Sequence, residues 1–125
     1  MDEELPDEVR RFVVANISSV SELEALLLLR ASAEREWSAN EVGHRLFIQP
    51  AQAKVLLVRL CDKGLLSKRE ANYRYAADPA LDARVAVVAE THARQLVPLT
   101  KLIHSLSASD ARQFSDAFRF RKDDK

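Results

Sequence analysis

Seven residues between positions 38 and 77 carry a positive charge: Arg45, Lys54, Arg59, Lys63, Lys68, Arg69 and Arg74. Only Glu41, Asp62 and Glu70 oppose them there, which leaves that block at +4. Residues 1–37 balance to −5 and residues 78–125 to +1, so the whole chain is neutral. Local fields rather than totals steer a polyanion, and clustered ammonium and guanidinium groups suit phosphate oxygens. Other reactive types are sparse. Cys61 is the single cysteine, so no internal disulfide can form, which suits a reducing compartment. It reads as a small, partly buried thiol rather than a redox switch. His92 and His104 stand twelve residues apart, and no Cys/His/Asp cluster accompanies them. No metal site or cofactor is therefore expected. There is no glycine-rich phosphate loop, nucleophile elbow or pair of catalytic carboxylates. With Gly43 and Gly64 as the only glycines, little freedom exists for a strained catalytic turn. Catalysis is not expected.

The cations need elements to hold them, and the composition points to helices. The 125 residues suit one domain with one core. Apolar residues make up 47% and charged residues 30%, with Ala, Leu, Glu and Arg abundant. Two glycines and four prolines are too few for a turn-dense β fold. No apolar run approaches the length that spans a bilayer, and the start (Asp2, Glu3, Glu4) is acidic where a secretory leader is basic. The expectation is a cytoplasmic protein with no membrane partner.

Periodicity places the elements. Leu5, Val9, Phe12, Val13, Ile17 and Val20 predict one amphipathic helix over residues 1–20, with Pro6 in its first turn. Ser21 and Glu24 read as a capping box that opens a second helix around Leu26–Leu29. Ser38 and Glu41 repeat the box, with Trp37 stapled onto Val42 and the helix ending near Phe47. Gln49-Pro50 opens the next helix, and Gly64 closes it as a left-handed cap. Residues 65–68 and 73–76 can pair as a hairpin around Glu70-Ala71-Asn72, with Asn72 as the residue that tolerates positive φ. From Pro79 a long stripe (Leu81, Val85, Val88, His92, Leu96, Leu99, Ile103, Leu106) predicts a helix kinked at Pro98. Ser107 with Asp110 caps a last helix that bears Phe114 and Phe118.

In this order, Trp37-Ser38-Ala39-Asn40-Glu41-Val42, Ile48-Gln49-Pro50-Ala51-Gln52-Ala53, Leu60-Cys61-Asp62-Lys63-Gly64-Leu65-Leu66 and Tyr73-Arg74-Tyr75 carry a family likeness. The chain resembles bacterial winged helix-turn-helix regulators of the MarR-type and ArsR-type superfamily. The resemblance is strong over this central stretch and extends to the flanking helices only by general plan. It implies a mainly α fold with a small β-hairpin wing, the core at residues 21–77 and extra helices at 1–20 and 78–125. It further implies a sequence-specific double-stranded DNA-binding transcriptional regulator. Residues 50–63 would form the recognition helix in the major groove, and residues 65–76 the wing on the backbone.

On that helix Ala53, Leu56, Leu57 and Leu60 are expected to be buried. Gln49, Ala51, Gln52, Lys54, Val55, Val58 and Arg59 are expected to face outward. Gln52 suits a bidentate contact to adenine, and Lys54 or Arg59 suits guanine or phosphate. Arg45, Lys68, Arg69 and Arg74 suit phosphates, which position the protein without specifying sequence. Val55 and Val58 lie where polar base readers are usual, so a protein-binding module stays open as the alternative. The resemblance also implies a homodimer through the outer helices. The expected dimerisation residues are Leu81, Val85, Val88, Leu96, Leu99, Ile103, Phe114 and Phe118.

Overall fold

A computed structural model describes residues 4–106. Phe114, Phe118 and the helix expected behind Ser107 lie outside the described residues. The elements run α1 (Asp7–Asn16), α2 (Val20–Ala31), β1 (Trp37–Ser38), α3 (Ala39–Leu46), α4 (Pro50–Asp62), β2 (Leu66–Arg69), β3 (Asn72–Tyr75) and α5 (Pro79–Arg94). A further helix, α6, covers Leu96–Leu106. The protein is mainly helical, with one small antiparallel sheet in the order β1-β3-β2.

The N-terminal helix is shorter than its apolar stripe predicts. Ile17 leaves the helix in an extended conformation (φ −118, ψ 127), and α2 starts again at Val20. The cap of α2 is Ser19, whose hydroxyl accepts from the Glu22 N–H at 3.1 Å, and not the expected Ser21. Starting there turns Glu22, Leu23, Leu26 and Leu29 inward and leaves Glu24 exposed. The axes of α1 and α2 meet at 107°. Hence α1 packs on α5, whereas α2 packs on α3, α4 and β3.

The second expected box is present. Ser38 Oγ accepts from the Glu41 N–H at 3.1 Å, and Glu41 Oε1 accepts from the Ser38 N–H at 2.9 Å. Trp37 does more than flank this helix: as β1 it pairs with Tyr73 of β3, and both rings are buried. In the β2–β3 hairpin Lys68 stands opposite Tyr73 and Arg69 opposite Asn72. The positive φ of the turn falls on Glu70 (57°), not on the expected Asn72.

The long C-terminal stripe is two helices. They part at Gln95, three residues before Pro98, with the Gln95 backbone at φ −129. Pro98 therefore sits in the first turn of α6, where its missing N–H has no helical partner to lose. Its ring would clash with the Arg94 carbonyl in a continuous helix, so the break falls there and not at the proline. After the break α6 returns along the N-terminus. Leu5 and Arg10 line one cavity of about 660 Å³ with Pro98, Lys101 and Leu102.

This return changes the assignment of the stripe. Val85, Val88, Leu99 and Ile103 are fully buried within one chain, and Leu81 is partly buried against the same core. They complete this chain's own core, so as interface residues they are corrected. Of the stripe residues expected at an interface, Leu96 alone stays well exposed, beside Val97. Among the described residues no single helix is long and apolar enough to cross a membrane.

The two glycines do different work. Gly64 follows α4 at φ +79, with Gly64 N–H donating to Cys61 O and Leu65 N–H to Leu60 O, both at 3.0 Å. Nothing lies within 4 Å of a Cβ built there. Gly43 is buried in α3, and a Cβ on it would stand 2.8 Å from the Ile48 carbonyl oxygen. The chain can fold back from α3 into α4 only because that position is bare. Gly64→Ala should cost about 1 kcal/mol, from left-handed strain alone. Gly43→Ala should cost about 1–3 kcal/mol, because backbone must move. Denaturation midpoints test this, and equal costs would remove the distinction.

Candidate nucleic-acid interface

Helix α4 presents its expected outer face. Ala53, Leu57 and Leu60 are fully buried and Leu56 is half-buried, whereas Gln49, Ala51, Gln52, Lys54 and Arg59 are exposed. Val55 and Val58 are exposed too, at 53% and 38%. The face is held in place by a device at each end. At the start, Gln52 Oε1 accepts the Gln49 N–H at 3.2 Å, and Pro50 occupies the first helical position. The spacing Gln49-x-x-Gln52 carried that signal. At the other end, Arg59 Nη1 donates to the Ser18 hydroxyl at 2.7 Å. Lys63 Nζ donates to the Asn16 carbonyl and stands 3.4 Å from Glu22 Oε2. No local pattern announces those bonds, because they join residues more than forty positions apart.

The structure thus sorts the candidate readers. Lys54 makes no ion pair or hydrogen bond among the described residues. Gln52 and Arg59 are exposed but already engaged. Arg45 is exposed, 5.5 Å from the Trp37 ring centroid. On the hairpin, Lys68 Nζ lies 6.0 Å from the Tyr73 ring centroid. Arg69 stands 3.8 Å from Glu36, and Arg74 Nε donates to the Ala33 carbonyl at 3.3 Å. Arg74 is thereby drawn toward the α2–β1 connection.

Lys54 and Lys68 converge. They line one depression of about 300 Å³ together with Ser38 and Asn40 at the start of α3 and Tyr73 on β3. Two lysine side chains and the N-terminus of a capped helix thus border a single concavity. Glu70 also lines it, at the hairpin tip.

Two polar clusters fix this surface to the rest of the chain. Tyr75 Oη donates to Asp82 Oδ1 at 2.5 Å, and Arg30 Nε donates to the same oxygen at 3.0 Å. The Tyr75 hydroxyl, and then the Arg30 guanidinium, hold the Asp82 carboxyl below the usual carboxylate range. Burial, then the Asp82 carboxylate, pushes the Tyr75 phenol well up. That phenol stays a donor, and the hairpin stays tied to α5 and α2. Beside α3, the Arg35 guanidinium stacks 3.7 Å from the Trp37 ring centroid and pairs with Glu41 at 2.9 Å.

The remaining candidates are bland. Burial, with Asp62 beside it, pushes the Cys61 thiol up, so it is a poor nucleophile at neutral pH. His92 Nε2 is buried with no hydrogen-bond partner among the described residues. Among the described residues no three His, Cys, Asp or Glu side chains gather as a metal site. Comparisons with protein-family models, curated proteins and solved structures each return no match.

Proposed function

We propose that this chain is a winged helix-turn-helix module that binds double-stranded DNA and regulates transcription. The resemblance in sequence supports the class. The observation that carries it is the convergence of Lys54 on α4 and Lys68 on the hairpin over one depression at the start of α3. In this reading α3 and α4 are the two helices of the motif, α4 enters the major groove, and β2–β3 is the wing. A homodimer belongs to the proposal, and its interface would be drawn from Leu96 and Val97, the exposed apolar pair at the α5–α6 break.

Phosphate binding has a salt signature that protein binding lacks. Affinity for a random-sequence duplex should fall steeply as salt rises. Changing Lys54 and Lys68 to Ala should make the log–log slope shallower by about two. Changing the exposed pair Arg10 and Arg11, on α1, removes the same charge elsewhere and should leave the slope alone. Equal losses from both pairs would move the surface elsewhere. Absence of duplex binding at low salt would favour the protein-binding module, for which exposed Val55 and Val58 speak.

A further inference from the structure

The outermost ridge of α4 is apolar. At 100° per residue, Ala51, Val55 and Val58 fall within an arc of about 60°, on the side of the helix away from buried Ala53, Leu57 and Leu60. Lys54 flanks this ridge on one side, and Gln52 and Arg59 flank it on the other. A helix lying in a groove meets the floor with its outermost ridge and the walls with its flanks. The flanks here carry the charge, which suits walls of phosphate. The ridge carries methyl groups, and that asks what apolar feature the floor could offer.

The polar flank cannot easily supply the sequence reading instead. The Oε1 atom of Gln52, which a bidentate adenine contact needs as acceptor, already caps the Gln49 N–H. The guanidinium of Arg59 is drawn to the Ser18 hydroxyl, toward the α1–α2 corner. Farther along the ridge, one turn beyond Val58, stands Asp62, which repels phosphates at the C-terminal end. Hydrogen-bonding groups face the walls or the protein. From Ala51 to Val58 only carbon faces the floor.

In the major groove the one apolar group on any base edge is the 5-methyl of thymine. We infer that the Ala51–Val55–Val58 ridge reads thymine 5-methyl groups, so the ligand class is duplex DNA with thymines at the contacted positions. This rests on the DNA-binding reading above and adds the specificity that reading left open. Val55, at 53% exposure, is the specificity-determining residue to change, since it can be shortened without opening the core.

The test uses the full chain and three pairs of duplexes at fixed salt, read by fluorescence anisotropy. An A·T-rich duplex is compared with the same sequence carrying deoxyuridine for every thymine, which removes the methyls and keeps pairing and phosphates. A G·C-rich duplex is compared with its 5-methylcytosine form, which adds methyls at the equivalent groove position. A random-sequence duplex and its deoxyuridine form complete the set. Affinity should fall about three- to fivefold for each contacted methyl lost, and rise on adding methyls to cytosine. V55A should bring the thymine-to-deoxyuridine ratio toward one. Salt-sensitive binding with equal affinity for thymine and deoxyuridine duplexes would overturn this inference and leave the DNA-binding reading standing. A V55A variant that keeps the full thymine preference would do the same. Failure to bind any of the duplexes at low salt would overturn both.

Discussion

Replacing Leu99 or Ile103 with glutamate will unfold the C-terminal half of the domain and will not release a folded monomer. Both side chains are fully buried in one chain's core, in company with Val9, Phe12, Val85 and Val88. Truncating such a leucine or isoleucine costs about 2–5 kcal/mol. Leaving an unpaired carboxylate in its place adds a desolvation cost of several kcal/mol. Against a usual total of about 5–15 kcal/mol, either substitution consumes most of the stability. Circular dichroism should show a large loss of helix for L99E and I103E at room temperature. The contrast is with L96E and V97E, whose side chains are 49% and 61% exposed. Those variants should melt within a few degrees of the parent. If the parent scatters light as a dimer, V97E is the change that should reduce its mass. A cooperatively folded L99E/I103E double variant would mean that α6 does not belong to this core.

What the sequence reveals and what it hides divides by distance along the chain. The Ser38–Glu41 box, Pro50 at a helix start and Gly64 after a helix end are local devices, each readable within a few residues. The α2 cap falls two residues before the expected one because both Ser19-x-x-Glu22 and Ser21-x-x-Glu24 fit the box. Only the inward turn of Glu22 and Leu23 decides between them, and that depends on α4. Likewise the stripe from Leu81 to Leu106 is continuous in apolar residues, so it reads as one seam. The proline ring acts on the carbonyl four residues back, which shifts the break to Gln95 and folds the second half onto α1. At the candidate interface, Lys54 and Lys68 are legible as charges, but their meeting over one depression requires the hairpin register. The engagement of Arg59 and Arg74 is invisible in the sequence. Each bonds to a residue forty-one positions away.

Glu22 is where a single polar substitution should cost most. It lies in the first turn of α2 with its side chain fully buried. Its Oε1 atom accepts from both the N–H and the hydroxyl of Ser18, at 2.8 Å each. Its Oε2 atom stands 3.4 Å from Lys63 Nζ, and Arg59 donates in turn to the Ser18 hydroxyl. One carboxylate therefore joins the α1–α2 corner to two cations from the end of α4. Glu22→Ala removes the carboxylate that accepts from the Ser18 N–H and hydroxyl, and takes from Lys63 the counter-charge of Glu22. Breaking a buried pair in this way costs about 3–5 kcal/mol. The lower end is expected, because the Lys63 side chain keeps 28% exposure and can turn toward water. Lys63→Ala leaves the opposite problem, a buried carboxylate held among the described residues by Ser18 alone, and should also destabilise. The double variant should recover part of the loss, with a coupling of about 1 kcal/mol or more between the two positions. Urea midpoints at constant m-value measure all three. Strictly additive costs would mean that Glu22 and Lys63 do not act as a pair. Because the cluster holds α4 at its C-terminal end, Glu22→Gln is the informative companion. It keeps the Ser18 acceptor but loses the charge, so it separates the hydrogen bonds that shape the corner from the attraction that holds α4 against it.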